Sequence, residues 1–435
     1  MKTPFQLFIF LLLLSLSQFS LGANTILAMD TVNLTLSGAE QRFVTKNLTL
    51  LINQFNIDIA KDNLLQAKLW YNPNLNYGTT LYNVETHRFF SDYYPTSQFS
   101  DENFQIQQLV TLAGRHQATW NLADVSVKQA RYQLADILRN LKYELHTDIS
   151  DLYYNQQLLK VYLTEEKAIE HMLLVTKALY EKGNAAGNEV IQLQAQLQDV
   201  VTQEIASRQS IINDEQDLKI LLVYPPTTTF VVSELPQVSL DSNQLPSYKT
   251  VIDTAIKNRP DLLLALAGDE YAKKNLKLQY ATSLPDLTIG VQYSGVNASA
   301  AAYTGIYGTM DLPIFNRNQW NIQAAKDGIA QSLVADTLAL ITVRNQVFTA
   351  YTQLNLYRLQ LNSVNKSYGP NYSQDLDEMM KNATTNYEKR LINLLTLLSL
   401  VNTYIDGKTN WLNLQVQYFN SIKNVNLNAG LELIK

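Results

Sequence analysis

Cysteine is absent from the 435 residues. That absence excludes disulfides, thiolate metal sites, a cysteine nucleophile and the acylated N-terminal cysteine of a lipoprotein. Histidine is scarce: only His87, His116, His146 and His171 occur, and no two stand three or four residues apart, so no paired-imidazole face for a metal is predicted. Each is expected to be an ordinary surface or core residue. Charged residues make up 17%, well under the ~25% usual for soluble domains. The 34 basic and 39 acidic residues leave a net charge of −5, which offers no basic face to a nucleic acid. No Gly-x-Ser-x-Gly elbow, phosphate-cradling glycine loop or Ser–Lys signature is found, so neither enzyme activity nor a cofactor is expected. With 15 Gly and 11 Pro, the chain is not collagen-like or of low complexity. Past the N-terminus, no segment nears the ~18 apolar residues of a membrane-spanning helix. The best stretch, Leu394 to Val401, covers eight.

Apolar residues are plentiful, at 46% with 25 Tyr, 14 Phe and 4 Trp, enough for a large core. Lys2, the apolar run Leu7 to Leu16 and the small residues of Ser20-Leu21-Gly22 read as a secretory signal peptide over residues 1–22 rather than an N-terminal membrane anchor, because the run is short and a polar Ser-Gln interrupts it. The mature chain is therefore expected to be exported. Any membrane crossing must use strands.

Internal repetition organises the rest. Ala60-Lys61-Asp62-Asn63-Leu64 returns as Ala272-Lys273-Lys274-Asn275-Leu276, and Asn72-Pro73-Asn74-Leu75 as Leu284-Pro285-Asp286-Leu287, both at an offset of 212. Arg115-His116-Gln117 matches Arg317-Asn318-Gln319 at 202, and Tyr180-Glu181-Lys182 matches Tyr387-Glu388-Lys389 at 207. Four matches in one order predict a tandem duplication of about 200 residues, with repeats over 23–224 and 248–435 and a Pro-, Thr- and Ser-rich connector over 225–247. Each half reads as helix, two short strands, then very long helix. Residues 115–182 lack Gly and Pro and would extend ~100 Å as one helix. Leu134, Leu138, Leu141, Leu145, Leu152 and Leu159 lie on one coiled-coil seam. The pattern breaks near Gly183 and Gly187, and helix resumes over 188–224 as the return arm of a hairpin.

Four segments alternate with a period of two: ~73–82, ~103–113, ~285–295 and ~303–313. Leu287, Ile289, Val291 and Tyr293 oppose Asp286, Thr288, Gly290 and Gln292. Ile306, Met310 and Leu312 oppose Tyr307, Thr309 and Asp311. In the first half, Leu75, Tyr77 and Leu81 oppose Asn74, Asn76 and Thr80, and Phe104, Ile106, Val110 and Leu112 oppose Gln105, Gln107 and Thr111. Both a soluble half-buried hairpin and a membrane barrel give this pattern; export and the ~100 Å helices favour the barrel. Four strands cannot close a barrel, because an open edge in lipid leaves backbone groups unpaired. Two copies would supply 8 strands and three would supply 12.

These features together resemble the TolC family of bacterial outer-membrane efflux proteins. Asp311-Leu312-Pro313-Ile314-Phe315-Asn316-Arg317-Asn318-Gln319 closes the second strand pair as in that family, and looks most like its heavy-metal cation-efflux branch. Asn258-Arg259-Pro260-Asp261-Leu262 and Tyr180-Glu181-Lys182-Gly183 are also typical. The resemblance covers roughly 38–430. It implies a mostly α protein with a membrane β-barrel: a homotrimer whose twelve strands form one barrel in the outer membrane and whose helices continue as an α-barrel across the periplasm. It implies a passive duct for small solutes, drugs or metal cations, fed by a periplasmic adaptor (membrane fusion) protein and an inner-membrane pump. The turns near 183–189 and 390–396 would lie at the periplasmic tip, with Lys182, Gly183, Glu189, Arg390, Asn393 and Thr396 as adaptor contacts. Arg390 stands where the family usually has Gly, and Thr396 and Ser399 occupy positions where some members carry Asp rings, which argues against a cation-blocked aperture. A protein-export duct of the type I kind shares this architecture. A soluble periplasmic coiled-coil scaffold without a pore is the rival from another class.

The remaining candidates read as structural. Glu165 and Glu166 are adjacent on a helix and point apart, and both are expected on the solvated surface. Arg317 is expected to be a polar residue at a strand–helix junction, and the six Asn-x-Ser/Thr sequons, Asn33 and Asn47 among them, to be coincidental. The 83–103 loop, with Phe89, Phe90, Tyr93 and Tyr94, is longer than the 296–302 loop and would face the cell exterior. Its aromatics would cap the pore mouth, meet lipid headgroups, or simply pack.

Overall fold

The computed structural model describes residues 30–84, 87–89, 102–235, 245–295, 301–369 and 371–434. The predicted signal peptide, part of the predicted connector, and Phe90, Tyr93 and Tyr94 lie outside them. The fold is mostly α-helical with one four-stranded antiparallel sheet, and no helix among the described residues is long and apolar enough to cross a membrane. The chain divides into two compact units. A hairpin unit gathers the described residues of Met1–Asn47, Leu145–Gln237 and Val364–Gln417. A sheet unit gathers those of Leu48–Glu144, Val238–Ser363 and Tyr418–Lys435.

In the hairpin unit, strand β1 (Asp30–Asn33) leads through Thr35, whose Oγ1 accepts from Gly38 N at 3.2 Å, into helix α1 (Leu36–Lys46). That N-cap fixes where the helix starts. At Asn47 the backbone turns to an extended ψ of 124°, so helix α2 (Leu48–Ala67), which belongs to the sheet unit, is a separate element. Helix α3 (Arg115–Glu181) is continuous over 67 residues, and its span from Leu145 onward lies in the hairpin unit with α4 (Gly187–Leu222). Strand β6 (Thr228–Val231) falls inside the predicted connector and pairs in parallel with β1, Asp30 opposite Thr228. The second long helical stretch is broken: α7 (Gln319–Tyr368) ends at Gly369, with φ 82°, and α8 (Tyr372–Glu388) restarts after it, followed by α9 (Leu394–Ala429).

The predicted leucine seam on α3 is only partly buried. Leu145 and Leu152 are fully covered, whereas Leu138 is 36% exposed. A straight α-helix drifts about 20° per heptad against a strict seven-residue repeat, so a fixed sequence register leaves the packed face. Farther along, the buried stripe is Leu158, Tyr162, Glu165, Ile169, Met172 and Thr176, spaced 4, 3, 4, 3 and 4. With Leu193 and Val200 of α4, Met380 of α8 and Leu397, Val401 and Tyr404 of α9, this stripe forms the core of the hairpin unit.

In the sheet unit, strands β2 (Asn74–Gly78), β5 (Asn103–Val110), β7 (Leu287–Ser294) and β8 (Tyr303–Met310) pair in the order β2-β5-β7-β8. A separate short pair, β3 (Tyr82–Asn83) and β4 (Arg88–Phe89), is pinned by the Tyr82 and Phe89 rings, 4.9 Å apart. Helices α5 (Tyr248–Asn258) and α6 (Pro260–Thr282) meet at Arg259, with Pro260 at the first helical position, where its missing N–H costs nothing.

Candidate functional site

The strand register places the alternating residues on two chemically distinct faces. Leu75, Ile106, Val291 and Ile306 are paired neighbours and form one apolar row; Tyr77, Phe104 and Tyr293 form a second, aromatic row that ends in the polar Thr304. The apolar rows are exposed, Ile306 by 82%. On the opposite face run Asn74, Gln107, Gly290 and Tyr307, then Asn76, Gln105, Gln292 and Gly305. There the Tyr307 ring lies over Gly290, where an added Cβ would come within 2.5 Å of it, and its hydroxyl donates to Gln107 Oε1 at 2.9 Å. A sheet with one polar, internally hydrogen-bonded face and one bare apolar face is not finished in water.

Among the described residues its two edges are open as well. Edge strand β2 follows α2, whose Leu48, Leu51, Ile52, Phe55 and Ile59 are all at least half exposed. Edge strand β8 precedes α7, which exposes Val334, Leu338, Ile341 and Phe348. These are helical spacings, so each open edge continues into a bare apolar stripe. At the strand–helix junction the Arg115 guanidinium pairs with Asp286, joining the start of α3 to the start of β7. Arg317, its counterpart in the sequence match, instead donates to the Ile314 carbonyl at 3.2 Å.

The hairpin unit carries two matched turns. After α3, Gly183 has φ 72°, Gly183 N donates to Tyr180 O at 2.9 Å, and Asn184 N donates to Leu179 O at 2.7 Å. After α8, Arg390 has φ 59°, its N donates to Tyr387 O at 2.9 Å, and Leu391 N donates to Asn386 O at 2.8 Å. Both are left-handed helix C-caps. Lys182, Gly183, Arg390, Asn393 and Thr396 are exposed and Glu189 is half-buried. Asn393 Oδ1 accepts from Thr396 N at 2.9 Å and from Thr396 Oγ1 at 3.0 Å, so these two residues cap α9. Arg390 Nη2 donates to Asn184 O at 2.9 Å and thereby ties the second turn to the first. The Tyr387 hydroxyl lies 3.0 Å from Thr176 Oγ1 and His171 Nε2 lies 2.8 Å from Glu388 Oε1, two more ties between the hairpins.

Other polar residues are engaged in structure. Arg259, 2% exposed, forks onto Asp261 (Nε to Oδ1 3.0 Å, Nη2 to Oδ2 2.5 Å) and reaches Gln346 and Asn428. Burial raises the Asp261 carboxyl, but the Arg259 fork and the charges of Arg259 and Arg139 outweigh it and leave it below the ordinary value. His146 is buried against Glu40, and the His116 ring stacks on Trp70 at 4.8 Å. One expectation fails: Glu165 is fully buried rather than solvated, while Glu166 is half-exposed. The rule that adjacent residues point apart holds, but it does not say which of the two points inward. The 4-3 spacing back from Thr176 and Ile169 would have chosen Glu165. Among the described residues, no cluster of His, Asp and Glu that could hold a metal is found.

Residues 251–374 match the outer membrane efflux protein family. Among solved structures, the Campylobacter jejuni outer membrane channel CmeC is similar with a TM-score of 0.73 at 16% identity, over 94% of this chain and 90% of that one. The outer membrane protein VceC of Vibrio cholerae gives 0.71 at 16% identity, over 92% and 96%. The Neisseria gonorrhoeae outer membrane channel MtrE gives 0.69 at 14%, over 92% and 89%. No curated protein matches the chain by sequence. Identities this low speak for the fold.

Proposed function

We propose that the chain is one protomer of a passive trimeric efflux channel of the bacterial outer membrane. The observation that carries this reading is the sheet: one bare apolar face, one polar face, and two open edges that each continue into an exposed apolar helix stripe. Lipid is the solvent that accepts such a face, and only closure removes the edges. The β2–α2 side of one copy meets the β8–α7 side of the next, a head-to-tail contact that forms a ring when the rotation closes. Three copies give the twelve strands of one barrel, its polar face lining an aqueous lumen. The family match over 251–374 and the similar channel structures support this choice over a soluble scaffold.

In this reading, residues 1–22 are a signal peptide, 23–224 and 248–435 are duplicated halves, and 225–247 connects them. The helices stand in the periplasm. The turns bearing Lys182, Gly183, Glu189, Arg390, Asn393 and Thr396 meet a periplasmic adaptor coupled to an inner-membrane pump. The cargo is small solutes, drugs or metal cations, and no chemistry is performed on it. The test is the protein mass of the detergent-extracted species from outer membranes, by light scattering corrected for detergent. Three chains, with conductance in planar bilayers, are expected. A monomer recovered from periplasm without detergent would overturn the reading.

A further inference from the structure

Glu165 is anomalous in this molecule. It is 0% exposed within one chain, so its burial does not depend on any assembly. Both its carboxyl oxygens are buried without a hydrogen-bond partner. It occupies a seam position of α3, between Tyr162 and Ile169, in the core that α4, α8 and α9 complete.

The helices packed against it carry charged and titratable groups that are engaged with one another. On α9, Lys408 Nζ binds Asp377 Oδ2 of α8 at 2.7 Å and Ser373 Oγ at 2.8 Å, and the Tyr404 hydroxyl donates to Asp377 Oδ1 at 3.2 Å. On α4, Glu204 holds Arg208 Nε at 2.6 Å. On α3, Glu166 is raised by burial and by Glu204 and Glu170, and the Tyr162 phenol is raised by burial and then by Asp199, with Asp406 of α9 adding to it. Burial, then Asp377 and Glu165, hold the Tyr404 phenol far above its ordinary value. Among the described residues no cation pairs with the Glu165 carboxyl, and burial alone acts on it; a buried, unpaired charge is among the costliest groups a core can hold.

We propose that Glu165 is a proton-dependent joint in the coiled-coil core: its neutral carboxyl keeps the seam dry and closed, and its ionisation draws water in and loosens the packing of α3 against α4, α8 and α9. Those four helices lead into the two turns, so the loosening reaches them. Desolvation by burial pushes the Glu165 carboxyl up to about 7 from an ordinary 4.5. The folded value exceeds the unfolded one, so the group favours the closed seam in acid. That advantage drains as pH rises from about 4.5 and is gone above about 7.

The proposal stands apart from the channel reading, because its readout is local. Hydrogen exchange of the full chain, purified in detergent and corrected for intrinsic rates, would be compared at pH 5.5 and 8.5 over residues 158–176. Wild type should lose about thirty-fold in protection between the two, the change that a carboxyl shifted from 4.5 to about 7 produces. Glu165→Gln should flatten that difference whatever its absolute stability, while residues 121–135 behave alike in both proteins. A flat wild-type profile, or an unchanged pH difference in Glu165→Gln, overturns the proposal. If Glu165→Gln does not fold, infrared spectra of wild type decide the matter. A protonated carboxylic-acid carbonyl band titrating near pH 7 supports the joint, and its absence at pH 5.5 sinks it.

Discussion

The chain enters the left-handed region at Gly183 after α3 and at Arg390 after α8, with φ of 72° and 59° and the same pair of cap hydrogen bonds. The side chains on this shared backbone do different work. At the first turn Gly183 adopts its φ without strain, Ala186 precedes α4 with no side-chain cap, and an added Cβ on Gly187 would touch the Tyr180 ring at 3.4 Å. At the second, Arg390 carries a Cβ where one is costly, Asn393 caps α9, and Tyr387 is buried where Tyr180 is 53% exposed. Arg390 accepts backbone strain and uses its side chain to reach the Asn184 carbonyl. One turn is shaped by what its residues lack, and the other by what they reach.

The largest effect should come from giving the first turn a branched side chain at its left-handed residue, where the strain lies in the backbone rather than in any lack of space. Gly183→Val sets a β-branched residue at a positive φ and should destabilise the hairpin by about 2 kcal/mol. Faster limited proteolysis beside residue 183, with fragments confined to the α3–α4 hairpin, would show it; an unchanged cleavage rate would mean the turn relaxes freely.

Next comes the cap. Asn393→Ala should cost the start of α9 about 1 kcal/mol, and Ala186→Asn should gain α4 a comparable amount, because residue 186 already has the extended φ and ψ (−81°, 142°) of an N-cap. Exchange rates in the first turns of α4 and α9 read both. Shifts of the same sign in the two variants would contradict the comparison.

The smallest effect on stability belongs to Arg390. Arg390→Gly relieves about 1 kcal/mol of left-handed strain and gives up an exposed hydrogen bond of similar worth, so the net change should be near zero. Arg390→Glu, which also reverses the charge, should lower efflux with the trimer mass unchanged. Wild-type efflux in that variant would remove Arg390 from the proposed adaptor contact.

The sequence disclosed these regions unequally. Strand alternation is local, so Leu75, Ile106, Val291 and Ile306 could be placed on one face before their pairing was known. The turn at Gly183 was legible because glycine favours positive φ. Arg390 gives no such signal by its own residue type; the Tyr180-Glu181-Lys182 match with Tyr387-Glu388-Lys389 just before it, and the family resemblance, are what point to the same backbone. Glu165 was misread because neighbour geometry separates two side chains without fixing the phase of the helix. That phase comes from tertiary packing, and the buried stripe shifts along α3 from Leu145 and Leu152 to Leu158 and Tyr162.

The β1–β6 pair has a kinetic consequence. Thr31 Oγ1 and Thr229 Oγ1 meet at 3.1 Å across 198 residues of chain. Gln156 fills the place of a third strand, its amide nitrogen donating to Phe230 O at 2.6 Å and its amide oxygen accepting from Val232 N at 3.0 Å. A contact of such sequence separation forms late, after the intervening loop has been shortened by local structure. Strand β1 is therefore expected to be among the last parts of this unit to settle, after α4 has doubled back on α3 and brought Gln156 and Phe230 together.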